Sequence, residues 1–199
     1  SRESFPELPT MPEALANIPA KMLSSMIART AFAISTEESR FTLNGALLAL
    51  QGNELTMVAT DGHRLAFSQH CYEAPDSTQN FRALVPKKAM TEIMKLGDEA
   101  GDEDKIALAG DDNHLFFQIG GRLLITRKLT GNFPDYERVL PKDNEHSAKL
   151  DRDETRSAIE RVAQFADERS RAIRVQFTNG EVRVYSSTAE TGESEESVL

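Results

Sequence analysis

The sequence predicts an α+β fold in which a β-α-β-β-β unit is repeated. Helical patterns recur with starts 66 residues apart, at Lys21, Lys87 and Asp153. Each pattern is followed by short alternating segments separated by turn residues, as in a small antiparallel sheet. A Phe-Pro-acid segment also recurs, with its phenylalanines at Phe5 and Phe133, 128 residues apart. Because one unit cannot bury its own sheet, two units are expected to form a domain of about 120–130 residues.

Three stretches carry the apolar spacing of an amphipathic helix. They are predicted at residues 19–34, 86–96 and 153–165, and the first two begin with a proline, which is tolerated there. The predicted caps are Gly97 after the second helix and Asp151 or Asp153 before the third. The residues expected to face inward are Leu23, Met26, Ile27 and Thr30 in the first helix and Ile159, Val162, Ala163 and Ala166 in the third.

Each predicted helix precedes alternating apolar and polar residues, which are typical of half-buried strands. Turn residues separate the strands at 51–53, 110–113 and 179–180, and the Asn-Gly pair at 179–180 is the strongest hairpin signal of the three. The strands are expected at residues 41–50, 54–60, 64–71, 105–109, 114–119, 122–129, 172–177 and 181–186.

The proline-containing polar segments around the two Phe-Pro-acid sequences are expected to be linkers. Residues 1–16 are then one linker, residues 17–131 a complete domain of two units, and residues 132–145 a second linker. Residues 146–199 hold one further unit and are expected to be the first half of another domain. The chain lacks an initial Met, and its last residues resemble the start of a strand, so we expect it to be a piece of a longer protein.

Composition excludes several classes of protein. The net charge of −9 argues by itself against nucleic acid as a partner, unless the basic residues are gathered on one surface. Much of the acid lies at residues 98–104 and 190–196, which are expected to be solvated loops. The longest apolar run, at residues 46–50, is far shorter than the roughly 20 residues of a membrane span, and no signal peptide is recognised. Cys71 is the only cysteine and there are 4 histidines, so neither a disulfide nor a metal site is expected, and a cytoplasmic location fits.

Three segments resemble a known family. They are Leu-Asn-Gly at 43–45, Thr-Asp-Gly-His-Arg-Leu at 60–65, and Asn-Phe-Pro-Asp-Tyr-Glu-Arg-Val-Leu-Pro at 132–141. In this order and at this separation they resemble the bacterial DNA polymerase III beta subunit family, the beta sliding clamps. The likeness spans nearly the whole chain. It implies the DNA clamp fold, a ring of repeated β-α-β-β-β units with helices lining the DNA hole and curved antiparallel sheets outside.

The resemblance also implies a function and a set of partners. Members are non-enzymatic processivity factors that slide on duplex DNA without sequence specificity. The implied protein partners are the alpha subunit of DNA polymerase III, the clamp loader and other proteins with a clamp-binding motif, with no membrane partner and no cofactor. The full-length protein is expected to form a head-to-tail dimeric ring. This chain is not expected to form it, because the resemblance places the first domain and the end of the third outside it.

Basic residues on the predicted helices are candidates for the DNA-lining surface. Lys21, Ser25 and Arg29 follow i, i+4, i+8 spacing on the face opposite the apolar stripe. Periodicity alone favours an ordinary solvated face, whereas the resemblance places these helices along the hole. The family often carries paired aromatics just before Leu-Asn-Gly; here Phe41 is aromatic and Thr42 is not. The residues expected to face DNA are Lys21, Ser25, Arg29, Phe41, Lys87, Lys88 and Lys95.

The resemblance implies a peptide-binding cleft, and the matching residues suit it. Apolar side chains can form a floor, Gly62 allows close backbone approach, and two arginines can bind carbonyls or a carboxylate. The residues alone favour a plain β-turn at 61–62 beside core leucines. The family completes this cleft with its C-terminal tail, so we expect weaker binding by this chain. The expected cleft residues are Leu43, Thr60, Gly62, His63, Arg64, Leu65, Pro134, Arg138 and Val139.

Two other functions are open to the same residues. A hydrolase using Asp61 and His63 would lose turnover in His63→Ala, but no nucleophile, metal-ligand spacing or Gly-rich phosphate loop accompanies the pair. A buried or hydrogen-bonded His63 is the expectation instead. A stand-alone peptide-binding adaptor would not associate with DNA at all. We therefore predict no catalytic residues, no metal and no cofactor.

Overall fold

The computed structural model describes residues 8–72, 80–167, 170–188 and 192–198. The chain divides into two compact units, Ser1–Leu140 and Pro141–Leu199. This boundary lies inside the segment 132–145 that was predicted to be a linker. The first Phe-Pro-acid segment, around Phe5, lies outside the described residues.

The first unit repeats the β-α-β-β-β order twice. Its first half comprises β1 (Ala16–Pro19), α1 (Ala20–Thr30), β2 (Gly45–Gln51), β3 (Glu54–Thr60) and β4 (Leu65–Cys71). Its second half comprises β5 (Phe81–Pro86), α2 (Lys87–Asp98), β6 (Lys105–Gly110), β7 (His114–Ile119) and β8 (Arg122–Arg127). The predicted repetition is therefore present. Pro19 and Pro86, which were predicted to start helices, are instead the last residues of β1 and β5.

The two halves exchange their leading strands. β1 pairs with β6, and β5 pairs with β2, so the sheets run β1-β6-β7-β8 and β4-β3-β2-β5 with antiparallel neighbours. Neither leading strand was predicted, because β1 has 4 residues and each strand ends in the proline taken as a helix start. Each half thus needs the other to complete its sheet.

The core lies between the helices and the inner faces of the two sheets. Alternate residues of β2, Ala46, Leu48 and Leu50, join this core, whereas Leu47 points to the opposite face. The predicted inward residues of α1 are all buried. α1 ends earlier than predicted, at Thr30, whose hydroxyl donates to the Met26 carbonyl at 2.8 Å, and a 3-10 turn follows.

Gly97 is not the C-cap of α2, contrary to the prediction. It lies inside the helix, where α2 packs against α1. A Cβ atom at this position would lie 1.8 Å from the Ser24 hydroxyl oxygen, so only glycine allows the two helices to approach this closely. Gly97 is therefore required for packing between the two helices, not for ending α2.

The strand predicted at residues 41–50 is also shorter than expected. Phe41–Leu43 forms a 3-10 helix, and β2 begins at Gly45. The backbone groups of Leu43 are satisfied locally, because its N–H donates to the Arg40 carbonyl at 2.8 Å and its carbonyl accepts from Ser35 N–H at 2.9 Å. A strand would have to break both bonds.

The second unit contains α3 (Arg152–Val162), β9 (Arg174–Thr178), β10 (Glu181–Thr188) and β11 (Gly192–Val198), with the sheet order β11-β10-β9. Asp151 is the N-cap of α3: its carboxylate accepts from the backbone N–H of Asp153 at 3.0 Å and of Glu154 at 2.8 Å. Of the predicted inward residues only Val162 is buried, Ile159 and Ala166 are half-buried, and Ala163 is exposed because the α-helix has ended.

The acidic stretch at 190–196 is not a loop where it is described, since Gly192–Val198 is β11. Arginines pair with two of its glutamates: Arg161 Nε and Nη2 each donate to the Glu196 carboxylate at 2.5 Å, and Arg183 Nη1 lies 3.7 Å from Glu195. The acidic stretch at 98–104 does form the turn after α2, as predicted.

Candidate functional site

The outer face of the sheet β4-β3-β2-β5 carries an apolar row across all four strands. In register, the row consists of Leu84, Leu47, Val58 and Phe67. After β8 the chain returns over this row, and we call residues 129–136 the covering segment. Leu129, Phe133 and Tyr136 pack on the row, and the Leu129 N–H donates to the Leu84 carbonyl at 3.1 Å. The covering segment divides the outer face into two clefts.

The first cleft, here the Pro134 cleft, has a volume of about 330 Å³. It is lined by Leu43, Thr60, Gly62, His63, Arg64, Leu65, Pro134, Asp135, Tyr136 and Val139. Every predicted cleft residue lines it except Arg138, whose exposed side chain pairs with Asp135 (Nε to Oδ2, 2.8 Å). Asp135 and Tyr136 were missed, although both stand in the Phe-Pro-Asp-Tyr segment; Tyr136 stacks obliquely on Phe67, with ring centroids 6.0 Å apart.

A hydrogen-bonded turn between β3 and β4 forms one wall of the Pro134 cleft. The Asp61 carboxylate accepts from the backbone N–H of His63 at 2.9 Å and of Arg64 at 3.0 Å. The Thr60 hydroxyl accepts from Gly62 N–H at 3.1 Å and donates to the Arg64 carbonyl at 2.7 Å. Gly62 has φ +90°, a conformation that disfavours any other residue. The wall is therefore fixed before any ligand arrives.

Asp61 should titrate well below an ordinary aspartate. The backbone N–H groups of His63 and Arg64, followed by the Arg64 side chain, lower the pKa of Asp61 from 3.8 to about 2. Because the folded pKa is the lower one, the stabilisation of the turn is complete above pH 3.8 and is lost as the pH falls through about 2. We expect the carboxyl carbon of Asp61 to titrate near pH 2 by NMR, together with the His63 amide signal. A midpoint near 4 would contradict the turn geometry.

Arg64 is held at the rim of the cleft from two sides. Its Nε donates to the Asp61 carboxylate at 3.1 Å, and its guanidinium carbon lies 5.5 Å from the centroid of the Phe32 ring. The turn is also tied to the preceding loop, because Arg40 Nη1 donates to the Asp61 carbonyl at 2.8 Å. These contacts use the Nε–H group and one face of the guanidinium, and the other N–H groups can donate to carbonyl or carboxylate oxygens.

His63 differs from its prediction. Its side chain is exposed on the cleft wall, and the hydrogen bond is made by its backbone N–H. In the described part of the chain the Asp61 carboxylate does not contact the His63 ring, so the orientation that a hydrolytic pair requires is not present. No group of three or more His, Cys, Asp or Glu side chains within the described ranges is placed to hold a metal ion. Within those ranges, too, no helix has the length and apolar character needed to cross a membrane.

The predicted DNA-facing residues lie on the exposed side of α1 and α2, except Ser25, which is half-buried, and Phe41, which is exposed on its 3-10 helix. Two of the lysines are already paired: Lys21 with Asp102 after α2, and Lys95 with Glu92 at 2.9 Å. Arg29, Lys87 and Lys88 are exposed and have no ion-pair partner among the described residues. Lys87 and Lys88 also open α2, where the helix dipole favours anions.

Comparison with known proteins relates the chain to bacterial replication proteins. Residues 17–135 match the family described as DNA polymerase III beta subunit, central domain, and residues 137–199 match its C-terminal domain. The chain is 35% identical over 204 residues to the beta sliding clamp of Chlamydia pneumoniae and 35% identical over 195 residues to that of Pseudomonas aeruginosa. These alignments cover 99% and 98% of this chain but 53% and 52% of the two relatives. The chain thus spans about half their length.

Solved structures show the same likeness. A sliding clamp from Pseudomonas aeruginosa, DNA polymerase III subunit beta, crystallised with griselimycin, matches with a TM-score of 0.87 and 34% identity. That match covers 99% of this chain and 53% of the other. The beta subunit of the Streptococcus pyogenes DNA polymerase matches with a TM-score of 0.87 and 25% identity, over 100% of this chain and 53% of the other. The predicted repeated-unit architecture is therefore confirmed.

Proposed function

The chain belongs to the DNA polymerase III beta subunit family, and on this premise we propose that the full-length protein is a processivity clamp of the replicative DNA polymerase. It encircles duplex DNA, slides without sequence specificity, and tethers polymerases and other factors through the Pro134 cleft. The protein acts in the cytoplasm as an accessory subunit, without a catalytic site of its own. Its proposed partners are the alpha subunit of DNA polymerase III, the clamp loader and other proteins that carry a clamp-binding motif.

The Pro134 cleft is the observation that carries this proposal. Its floor combines Leu43, Leu65, Pro134 and Val139, while the Asp61 turn holds Arg64 in place at the rim. An apolar floor with one prepositioned guanidinium suits a short peptide that inserts an apolar side chain and presents a backbone carbonyl or carboxylate. A rigid wall reduces the ordering that binding would otherwise require.

The charge distribution suits a protein that surrounds DNA. The chain carries a net charge of −9, yet α1 and α2 expose Arg29, Lys87 and Lys88 without acidic partners in the described residues. Few, mobile cations hold phosphates without reading bases, so the contact is non-specific and salt-sensitive. An acidic remainder discourages DNA from the other surfaces.

Topological retention on DNA tests the proposed clamp. We expect full-length protein, assembled as a head-to-tail dimeric ring on a nicked circular plasmid by its clamp loader, to co-elute with the plasmid in gel filtration. Cutting the plasmid once with a restriction enzyme should release most of the protein, because a ring slides off a free end. Equal retention on circular and linear DNA would indicate ordinary binding, and no association with either would favour a stand-alone adaptor.

The helix cations should contribute unequally to retention. Replacing Lys21, Arg29, Lys88 and Lys95 together by Gln in the full-length protein should weaken retention in a salt-dependent way. Of two matched double variants, Arg29→Gln with Lys88→Gln should lose more than Lys21→Gln with Lys95→Gln, because Asp102 and Glu92 already occupy the latter lysines.

The measurement is the dependence of DNA affinity on salt concentration. The slope of log affinity against log salt concentration is negative, and its magnitude should fall by about one for each phosphate contact removed. The magnitude of the slope should therefore fall by about two per subunit in Arg29→Gln with Lys88→Gln, and clearly less in Lys21→Gln with Lys95→Gln. Identical slopes in all variants would show that these side chains of α1 and α2 do not contact DNA.

A further inference from the structure

A second cleft lies on the other side of the covering segment, above β2 and β5. We call it the Arg82 cleft; its volume is about 410 Å³. Leu129 and Phe133, which are half-buried, provide its accessible apolar surface above the buried Leu47 and Leu84. Arg82 and Lys128 provide its charge. No sequence motif pointed to it, since its residues come from three separate segments.

The cations of the Arg82 cleft face no lining carboxylate. Arg82 stands two residues before Leu84 on the outer face of β5, is exposed, and has no hydrogen-bond or ion-pair partner among the described residues. Lys128 is fixed, because its ammonium donates to the Asp111 carbonyl at 2.5 Å and lies 5.1 Å from the centroid of the Phe81 ring. None of the described residues lining this cleft is acidic. The chain has a net charge of −9, so a cleft lined by two cations and no carboxylate differs in charge from the protein as a whole.

The wall that separates the two clefts is fixed by packing. Phe133 and Leu129 pack on the outer row, and Gly131 lets the chain pass close to the 3-10 helix. A Cβ atom at Gly131 would lie 2.5 Å from the Thr42 methyl carbon, and its φ of +107° favours glycine. The Arg82 cleft is therefore preformed rather than opened by a ligand.

We propose that the Arg82 cleft is a second peptide subsite, which binds an acidic and apolar segment of a partner protein. A carboxylate on that segment pairs with Arg82, whose planar guanidinium suits bidentate contact, and lies near the Lys128 ammonium. An adjacent leucine or phenylalanine side chain packs against the half-buried Leu129 and Phe133, beside the buried Leu47 and Leu84. This subsite is independent of whether the Pro134 cleft binds peptide.

An acidic peptide fits this surface better than nucleic acid does. The floor is mainly aliphatic, whereas sequence-tolerant binding of single strands depends on stacking of bases on aromatic rings along a basic groove. Two cations bind few phosphates, and they lie on the outer face of the sheet, away from the exposed cations of α1 and α2.

The test is an NMR titration of the ¹⁵N-labelled 199-residue chain with two tetrapeptides. One is acetyl-Glu-Leu-Asp-Phe-amide, and the matched control carries Gln and Asn in place of the two acids. The acidic peptide should shift the amides of Arg82, Leu84 and Lys128, and the neutral peptide should not. Binding should weaken as salt is raised from 50 to 300 mM, as expected for an ion pair at the surface.

Variants separate this subsite from the Pro134 cleft. Arg82→Glu should reduce affinity for the acidic peptide at least tenfold and Arg82→Gln less, with Tm unchanged because Arg82 is exposed. Val139→Asp, in the Pro134 cleft, should leave it unaltered. Equal binding of both peptides, shifts confined to the Pro134 cleft, full affinity in Arg82→Glu, or displacement of the peptide by an eight-nucleotide oligothymidine would each overturn the proposal. None of those outcomes would change the retention expected on circular DNA, so this proposal and the proposed clamp function can fail separately.

Discussion

Replacing Val139 by Asp should weaken binding of an apolar clamp-binding peptide by about tenfold to 100-fold. Val139 is 66% exposed without a ligand and lines the Pro134 cleft, so a bound peptide would cover it. A carboxylate covered by apolar groups loses its water contacts, which costs about 1–3 kcal/mol when no partner replaces them. A loss of about tenfold to 100-fold corresponds to about 1.4–2.8 kcal/mol, which lies within that range. A new pair with Arg64 would not restore affinity, because it would occupy the guanidinium that the peptide needs.

Fluorescence anisotropy of a labelled peptide measures this effect, both in this chain and in the full-length protein. Leu123→Asp is the matched control: Leu123 is 46% exposed and lies in β8, on the other sheet, so the same charge is added to an apolar surface away from the cleft. Affinity should be retained in the control and lost in Val139→Asp. If both variants bind the peptide as tightly as the unaltered protein does, the Pro134 cleft is not the peptide-binding site.

Replacing Gly45 by Ala should lower the free energy of unfolding by about 3 kcal/mol, the upper part of the range for overpacked interiors. An added Cβ would lie 2.1 Å from the Val85 carbonyl oxygen and 2.8 Å from a Leu129 methyl carbon. Gly45 pairs with Pro86 at the start of β2, so relief requires β5 or the covering segment to move. Both the sheet and the wall between the two clefts depend on this glycine.

Urea unfolding followed by circular dichroism gives the change in free energy. Gly121→Ala is the control, because an added methyl group there meets no atom within 4 Å. The control should unfold within about 0.5 kcal/mol of the unaltered chain, as surface substitutions usually do. A Gly45→Ala variant as stable as the control would show that β2 and β5 can separate without loss.

Sequence patterns within a few residues predicted those elements that are stabilised by contacts between near neighbours in the chain. The apolar stripe of α1, the Asp151 cap and the hairpin at 179–180 depend on neighbours a few residues away, and the structure has all three. β1 and β5 were missed because their strand partners lie far along the chain and a proline ends each. Gly97 was misassigned for the same reason, since its partner Ser24 is on another helix.

The residues of the Pro134 cleft were expected from family resemblance rather than from periodicity, and the structure brings all but Arg138 together. Arg138 was expected from the same resemblance, but its side chain pairs with Asp135, three residues earlier. The pairing of Lys21 with Asp102 could not be anticipated, because 81 positions separate them. Charge spacing on one helix contains no information about the carboxylates that another segment brings to it.

The exchange of leading strands also determines when the first unit can fold. β1 is made early, but it cannot find its partner until β6 has left the ribosome, since Ala16 pairs with Leu108 and Pro19 with Lys105. Pairings between such distant residues slow folding, because the loop must close before any contact is gained. Neither half can therefore complete its sheet during synthesis until strands of the other half have been made. By the same reasoning, two separately made pieces, one ending with β4 and one beginning with β5, would each hold the edge strand that the other lacks, and mixing them should restore the fold.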